Sequence, residues 1–160
     1  MSVSVTGQTL KAFFENQIFL ASISSWIFAQ LLKTIIVILR SKRKTARDVV
    51  ETFVWRTGGM PSSHAAMVST MATMVAFLEG IGSNLFIITF FFAMVIIRDA
   101  VGVRRSSGLQ ARSLNLLGKS VAERFNIEYH PTKEVLGHTP LEVVVGVLLG
   151  IFIAAAFAKL

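Results

Sequence analysis

Residues 84–103 read NLFIITFFFAMVIIRDAVGV. Between Asn84 and Arg98 only Thr89 is polar. A helix on a water-soluble domain shows a polar stripe at every turn, and this stretch has none. Its length is that of a single bilayer crossing, about 20 residues. The composition around it agrees. The 160 residues are 53% hydrophobic and 16% charged, with 13 Phe, whereas an ordinary soluble domain is about one quarter charged. A membrane bundle is therefore expected, rather than a soluble bundle of unusually greasy helices. The absence of Cys excludes disulfides and thiolate metal sites. The length suits one integral membrane domain, 1–160. The start, MSVSVTGQTLKAFFENQ, has neither the basic opening nor the small-residue cleavage site of a signal peptide.

Three further segments read as spans: 17–39 (QIFLASISSWIFAQLLKTIIVIL), 62–79, and 139–158 (TPLEVVVGVLLGIFIAAAFA). The second and last are short and begin on polar residues. Segment 105–127 differs. Leu114, Leu117, Val121 and Phe125 recur in it at helical spacing between charges. It reads as an amphipathic helix on the cytoplasmic membrane surface, or as a solvated helix packed on the bundle. The expected fold is all-α: a multi-pass transmembrane helix bundle of about four spans plus this surface helix.

Charge orients it. The loop RSKRKTARDVVETFVWR, 40–56, has six basic residues, and the stretch from Arg104 to Lys133 has another six. The opposite side has Lys11 and Lys159 only. By the positive-inside rule both basic segments are cytoplasmic and both termini face away from the cytoplasm.

The ionisable residues near the membrane gather at that same rim. Intramembrane charge is costly and usually marks a site. Lys33 and Arg40 end the first span. His64 opens the second, within RTGGMPSSHAAM, 56–67. Arg98 and Asp99 lie towards the end of the third, followed by Arg104 and Arg105. His138 and Glu142 open the fourth. The second and fourth spans start at this rim, so their positive dipole ends point there, an arrangement that favours anions and phosphate especially. Lys33 and Arg40 are two turns apart on one face, about 10 Å along the axis, and suit the two sides of one phosphoryl group. The plain alternative for both is snorkelling to the interface.

Two features have two readings each. In GHTPLE, 137–142, Glu142 is either the return half of a capping box on Thr139 or the carboxylate that orients His138 four residues earlier. Ala65, Ser69 and Thr73 form a small-residue stripe on the second span, and Gly146, Gly150 and Ala154 form another on the fourth. Such stripes allow close helix contact in lipid, which brings the two His-bearing starts together or else drives homo-oligomer formation. Asp99 reads as a scaffold for Arg98, Arg104 or Arg105.

Three stretches in order, GGMPSSHAA (58–66), DAVGVRRSSGLQARSLN (99–115) and KEVLGHTPLEVVVGVLLG (133–150), resemble the divergent branch of the type-2 phosphatidic acid phosphatase superfamily. Its relatives include bacterial acid phosphatases and vanadium-dependent haloperoxidases. The parent superfamily has three signatures: Lys, six residues, Arg-Pro; then Pro-Ser-Gly-His; then Ser-Arg, five residues, His, three residues, Asp. Lys33 and Arg40 match the first, with Ser41 in place of Pro. Pro61, Ser62 and His64 match the second, with Ser63 in place of Gly. His138 matches the third, with Glu142 in place of Asp and Thr132 where Arg is expected.

The resemblance implies a hydrolase of phosphate monoesters or diphosphates. His138 is the nucleophile that forms a phosphohistidine, Glu142 orients it, and His64 is the general acid. Lys33, Arg40, Ser62, Ser63 and the start of the second span hold the phosphoryl oxygens, with Arg104 or Arg105 supplying the missing cation. No metal or other cofactor is implied. The expected partners are the bilayer and a lipid phosphate, with no nucleic acid. The alternative is a phospholipid binder or transporter that keeps the anion pocket without the chemistry.

Overall fold

The computed structural model describes residues 7–40, 59–134 and 137–159, and helix is the regular secondary structure among them. Residues 41–56 of the basic loop lie outside them, as does the Arg40 side chain. The helices are α1 (Gly7–Phe14), α2 (Gln17–Arg40), α3 (Ser63–Glu79), α4 (Asn84–Val101), α5 (Val103–Phe125) and α6 (Pro140–Phe157). Helix α1 was not foreseen. Asn16 separates it from α2 and caps the longer helix, its Oδ1 accepting from the N–H groups of Ile18 at 2.9 Å and Phe19 at 3.1 Å. The signal was present as Asn directly before an apolar run.

Three helical stretches among the described residues are long and apolar enough to cross a membrane: Gln17–Leu39, Asn84–Phe125, which contains α4, and Pro140–Phe157. The fourth expected span, α3, has only 17 residues. It packs against α2, α4 and α6, and nine of its residues are buried, Ser63, Ser69 and Thr70 among them. A helix enclosed by protein on three sides needs close-fitting side chains more than an apolar circumference. The chain turns sharply after α3 at Gly80, whose φ of +83° suits glycine, and Ser83 caps α4.

The tightest contact is α3 on α6. A Cβ on Gly146 would lie 2.5 Å from the Ser62 carbonyl oxygen, and one on Gly150 would overlap the Ala66 carbonyl. Thr70 Oγ1 lies 2.9 Å from the Ala66 carbonyl within α3 and donates across the interface to the Gly150 carbonyl at 3.0 Å. The two small-residue stripes therefore meet each other within one chain. Apolar clusters flank this seam, with Ala65, Ala100 and Val143 near the His-bearing ends and Ala21, Met74 and Ala154 at the far end.

The expected third span is interrupted at Gly102. Its N–H donates to the Arg98 carbonyl at 2.9 Å, and a Cβ there would crowd the same oxygen. Helix α5 starts at the next residue. The segment after α5 folds back along it, where Asn115 is the clasp. Asn115 Nδ2 donates to the Thr132 carbonyl and to Glu134 Oε1, each at 2.8 Å. Asn115 Oδ1 accepts from the Thr132 N–H at 2.8 Å and from the Tyr129 hydroxyl at 2.7 Å. Gly118 leaves the space that the Tyr129 ring fills.

Candidate functional site

His138 precedes α6, whose N-cap is Thr139. Its backbone is seated on the α4–α5 junction: the N–H donates to the Ala100 carbonyl at 3.2 Å, and Gly137 lies so close to the backbone of Arg104 and Arg105 that a Cβ would collide with it. The residue is buried, 7% exposed. Its Nδ1 lies 3.1 Å from Glu142 Oε2.

The same Glu142 oxygen accepts from the Thr139 N–H at 3.1 Å, while Thr139 Oγ1 accepts from the Glu142 N–H at 3.4 Å. The two sequence readings of Glu142 are thus both present: one carboxylate oxygen closes the capping box and holds the imidazole. An ionised carboxylate only accepts, so Nδ1 carries the ring proton and Nε2 keeps its lone pair. Burial holds the His138 ring below the ordinary imidazole value; the hydrogen bond to Glu142 opposes that shift, and the positive field of Lys33 and Arg104 reinforces it. The ring is therefore neutral at neutral pH, the form that a nitrogen nucleophile requires.

A backbone hydrogen bond, Ser62 N–H to the Glu142 carbonyl at 3.0 Å, joins the start of α3 to the start of α6. Ser62 is fully buried and caps α3, its Oγ accepting from the Ala65 N–H at 3.4 Å. Ser63 is buried beside it, and His64, the next residue, is exposed. His64 lies within electrostatic reach of Arg104, His138 and Lys33. Lys33 is 2% exposed. Its stem runs past Gly59, where a Cβ would lie 3.7 Å from Lys33 Cγ and where φ is +89°. The positive φ is what favours glycine at this position, since a Cβ would make only an ordinary contact with the lysine stem.

Among the three arginines left open by the sequence, Asp99 binds Arg104, with Nε to Oδ2 at 2.6 Å. The break at Gly102 makes this pairing across five residues possible. Arg98 and Arg105 are exposed, and neither enters the electrostatics of the two rings. Thr132 is engaged through its backbone with Asn115 on α5. Among the described residues no group of three or more His, Asp and Glu side chains is placed to hold a metal ion. Two imidazoles, a buried lysine and a braced arginine thus converge on one rim, an arrangement able to hold an anion and to exchange a proton and a covalent bond with it.

A family model described as the divergent PAP2 family matches residues 14–153. The chain is also similar to the uncharacterized membrane protein YuiD of Bacillus subtilis (strain 168), 37% identical over 150 residues, covering 87% of this chain and 92% of that protein. No solved structure matches the chain.

Proposed function

The chain belongs to the divergent PAP2 family, and from that premise we propose that it hydrolyses a phosphate monoester or diphosphate on a membrane lipid. The observation that carries this reading is the 3.1 Å contact between Glu142 Oε2 and His138 Nδ1, which leaves Nε2 as the nucleophile. Nε2 attacks phosphorus while the bond from phosphorus to the lipid oxygen breaks. His64, protonated, gives its proton to that oxygen, and the lipid leaves as an alcohol, or as a monophosphate when the substrate is a diphosphate. His64, now neutral, takes a proton from water as the water oxygen attacks the phosphohistidine. The P–N bond breaks and inorganic phosphate is released.

Charge on the phosphoryl oxygens is met by Lys33 and Arg104, with Arg105 at the margin and Arg40 a candidate from the family signature alone. The Ala65 and Ala66 N–H groups are both taken by Ser62, so the donors that this turn offers are the N–H groups of Ser63 and His64. The bundle is oriented in this reading with the rim towards the cytoplasm, the side that the twelve basic residues of 40–56 and 104–133 favour. Phosphatidylglycerophosphate and phosphatidate, which carry their phosphate at that surface, are the leading substrates, with polyprenyl diphosphate next. Phosphate release by purified protein against this panel tests the proposal. Tight lipid binding with no turnover on any member would instead make the protein a binder.

The pH profile gives a sharper test. Because the His138 pKa is lowered from 6.5, the nucleophile protonates only at pH below that value, and the acid limb of kcat/KM should lie below 6.5. Glu142 works against the lowering. Glu142→Gln should therefore cut the plateau rate, about 10²-fold on the scale of a lost orienting group, and also move the acid limb to still lower pH. A limb that stays in place or moves upward would contradict the assignment.

Asp99 acts through Arg104. Asp99→Asn should raise KM for the lipid phosphate several-fold, because the arginine is no longer held over the site, and should move the acid limb upward as the field of Arg104 on His138 weakens. An unchanged KM would remove Asp99 from the site.

A further inference from the structure

Helix α5 has three faces. The first is the strapped one: Ala111, Asn115, Gly118 and Ala122, its partly buried positions, fall on one stripe, where Asn115 holds the returning chain and Gly118 receives Tyr129. Arg105, Arg112 and Lys119 form a second, exposed and net basic, which also carries exposed Leu109 and Leu116 and Glu123, paired with Lys119 at 3.9 Å. Opposite them Val103, Leu114, Leu117, Val121 and Phe125 form an apolar stripe, with Leu117 62% and Phe125 65% exposed. The strap could have covered this stripe and does not, because Asn115 and Gly118 draw it to the neighbouring face.

The helix also begins one residue after the Gly102 break that ends α4, so its apolar stripe starts where an apolar, span-length stretch stops. We propose that this stripe is a lipid-docking surface: α5 lies in the headgroup zone of an anionic leaflet, with the five apolar side chains sunk among the upper acyl carbons. Three features favour lipid as the occupant. The stripe continues directly from α4. Its apolar side chains suit the depth of about 5–10 Å to which such helices sink. The third feature is charge: on a helix about 10–12 Å across, the basic face and the flanking Arg104 and Arg124 stay within about one Debye length of the lipid phosphates, roughly 8 Å. Docking in this way would fix the height of Arg104, on the first turn of α5, at the level of the headgroups. The surface depends on the membrane reading and not on any chemistry at His138, so the two can fail separately.

The chain has no Cys, so single labels can be placed without background. Leu117→Cys and Arg112→Cys, each carrying a nitroxide, are compared in the full-length protein in nanodiscs of phosphatidylcholine with and without phosphatidylglycerol. At 117 the nitroxide should be open to oxygen, which partitions into lipid, and shielded several-fold from an aqueous nickel chelate. At 112 the order should reverse. Phosphatidylglycerol should increase the shielding at 117, and high salt should abolish that increase. Nickel access at both positions would mean a solvated helix and overturn the proposal. Shielding from both probes at 117, with spin–spin broadening between two labelled chains, would assign the stripe to a second copy and overturn it equally. Shielding indifferent to lipid charge and salt would overturn the anionic leaflet as the occupant.

Discussion

His138→Ala should abolish phosphate release from lipid phosphates, by roughly 10³-fold or more, the scale on which loss of a covalent nucleophile is felt. The replacement removes the only atom placed to form the phosphoenzyme in the proposed mechanism. It leaves most of the local frame in place, because the seat of residue 138 is made by backbone: its N–H on the Ala100 carbonyl and Gly137 against the start of α5. The capping box of Thr139 and Glu142 remains as well. Parent protein quenched during turnover of ³²P-labelled substrate should carry label that is stable to base and labile to acid, and the variant should carry none. Unchanged turnover in the variant would refute the covalent mechanism. Lipid binding that survives both His138→Ala and His64→Ala, in a protein with no turnover of its own, would leave only the binding reading.

The parts of this site differ in how far the sequence disclosed them, and the reasons are physical. The capping box was legible because Thr-Pro-x-Glu has local geometry, fixed by the helix itself. That Glu142 orients His138 stood beside it as an open alternative, since both roles place Glu142 at the same helical position and only the side-chain rotamer shows that one carboxylate fills both. The partner of Asp99 stayed open among three arginines because helical spacing favours offsets of three or four. Asp99 to Arg104 is an offset of five, and it closes only because the helix breaks at Gly102. Asn115 and Gly118 carried a faint signal: both are poor helix formers in mid-helix, a cost that the Thr132 and Tyr129 contacts offset. Thr132 shows the limit of matching by motif. It aligns with a phosphate-binding arginine in the parent superfamily, yet its backbone is committed to Asn115, and the cations whose field reaches both rings are Arg104 and Lys33.

The small-residue stripes carry the prediction with the largest effect on folding. Gly150→Leu should destabilise the bundle by about 3 kcal/mol, the upper part of the usual range for overpacking. The site has no slack, since even a Cβ would overlap the Ala66 carbonyl and meet Ser69 Cβ at 3.0 Å. Backbone atoms cannot rotate aside as a long side chain can, so the helices themselves must part. Parting stretches the hydrogen bond from Thr70 to the Gly150 carbonyl and leaves a fully buried hydroxyl with only its own α3 carbonyl as acceptor. It also pulls on the Ser62–Glu142 link about two turns away, so the two imidazoles lose their common frame and turnover falls with stability. Gly82→Ala is the matched control, because a Cβ at Gly82 meets nothing within 4 Å. Unfolding in detergent should show a lowered midpoint for Gly150→Leu and none for Gly82→Ala. Equal midpoints would mean that α3 and α6 are not held at backbone contact, and the two histidine-bearing helix starts would then need another reason to meet.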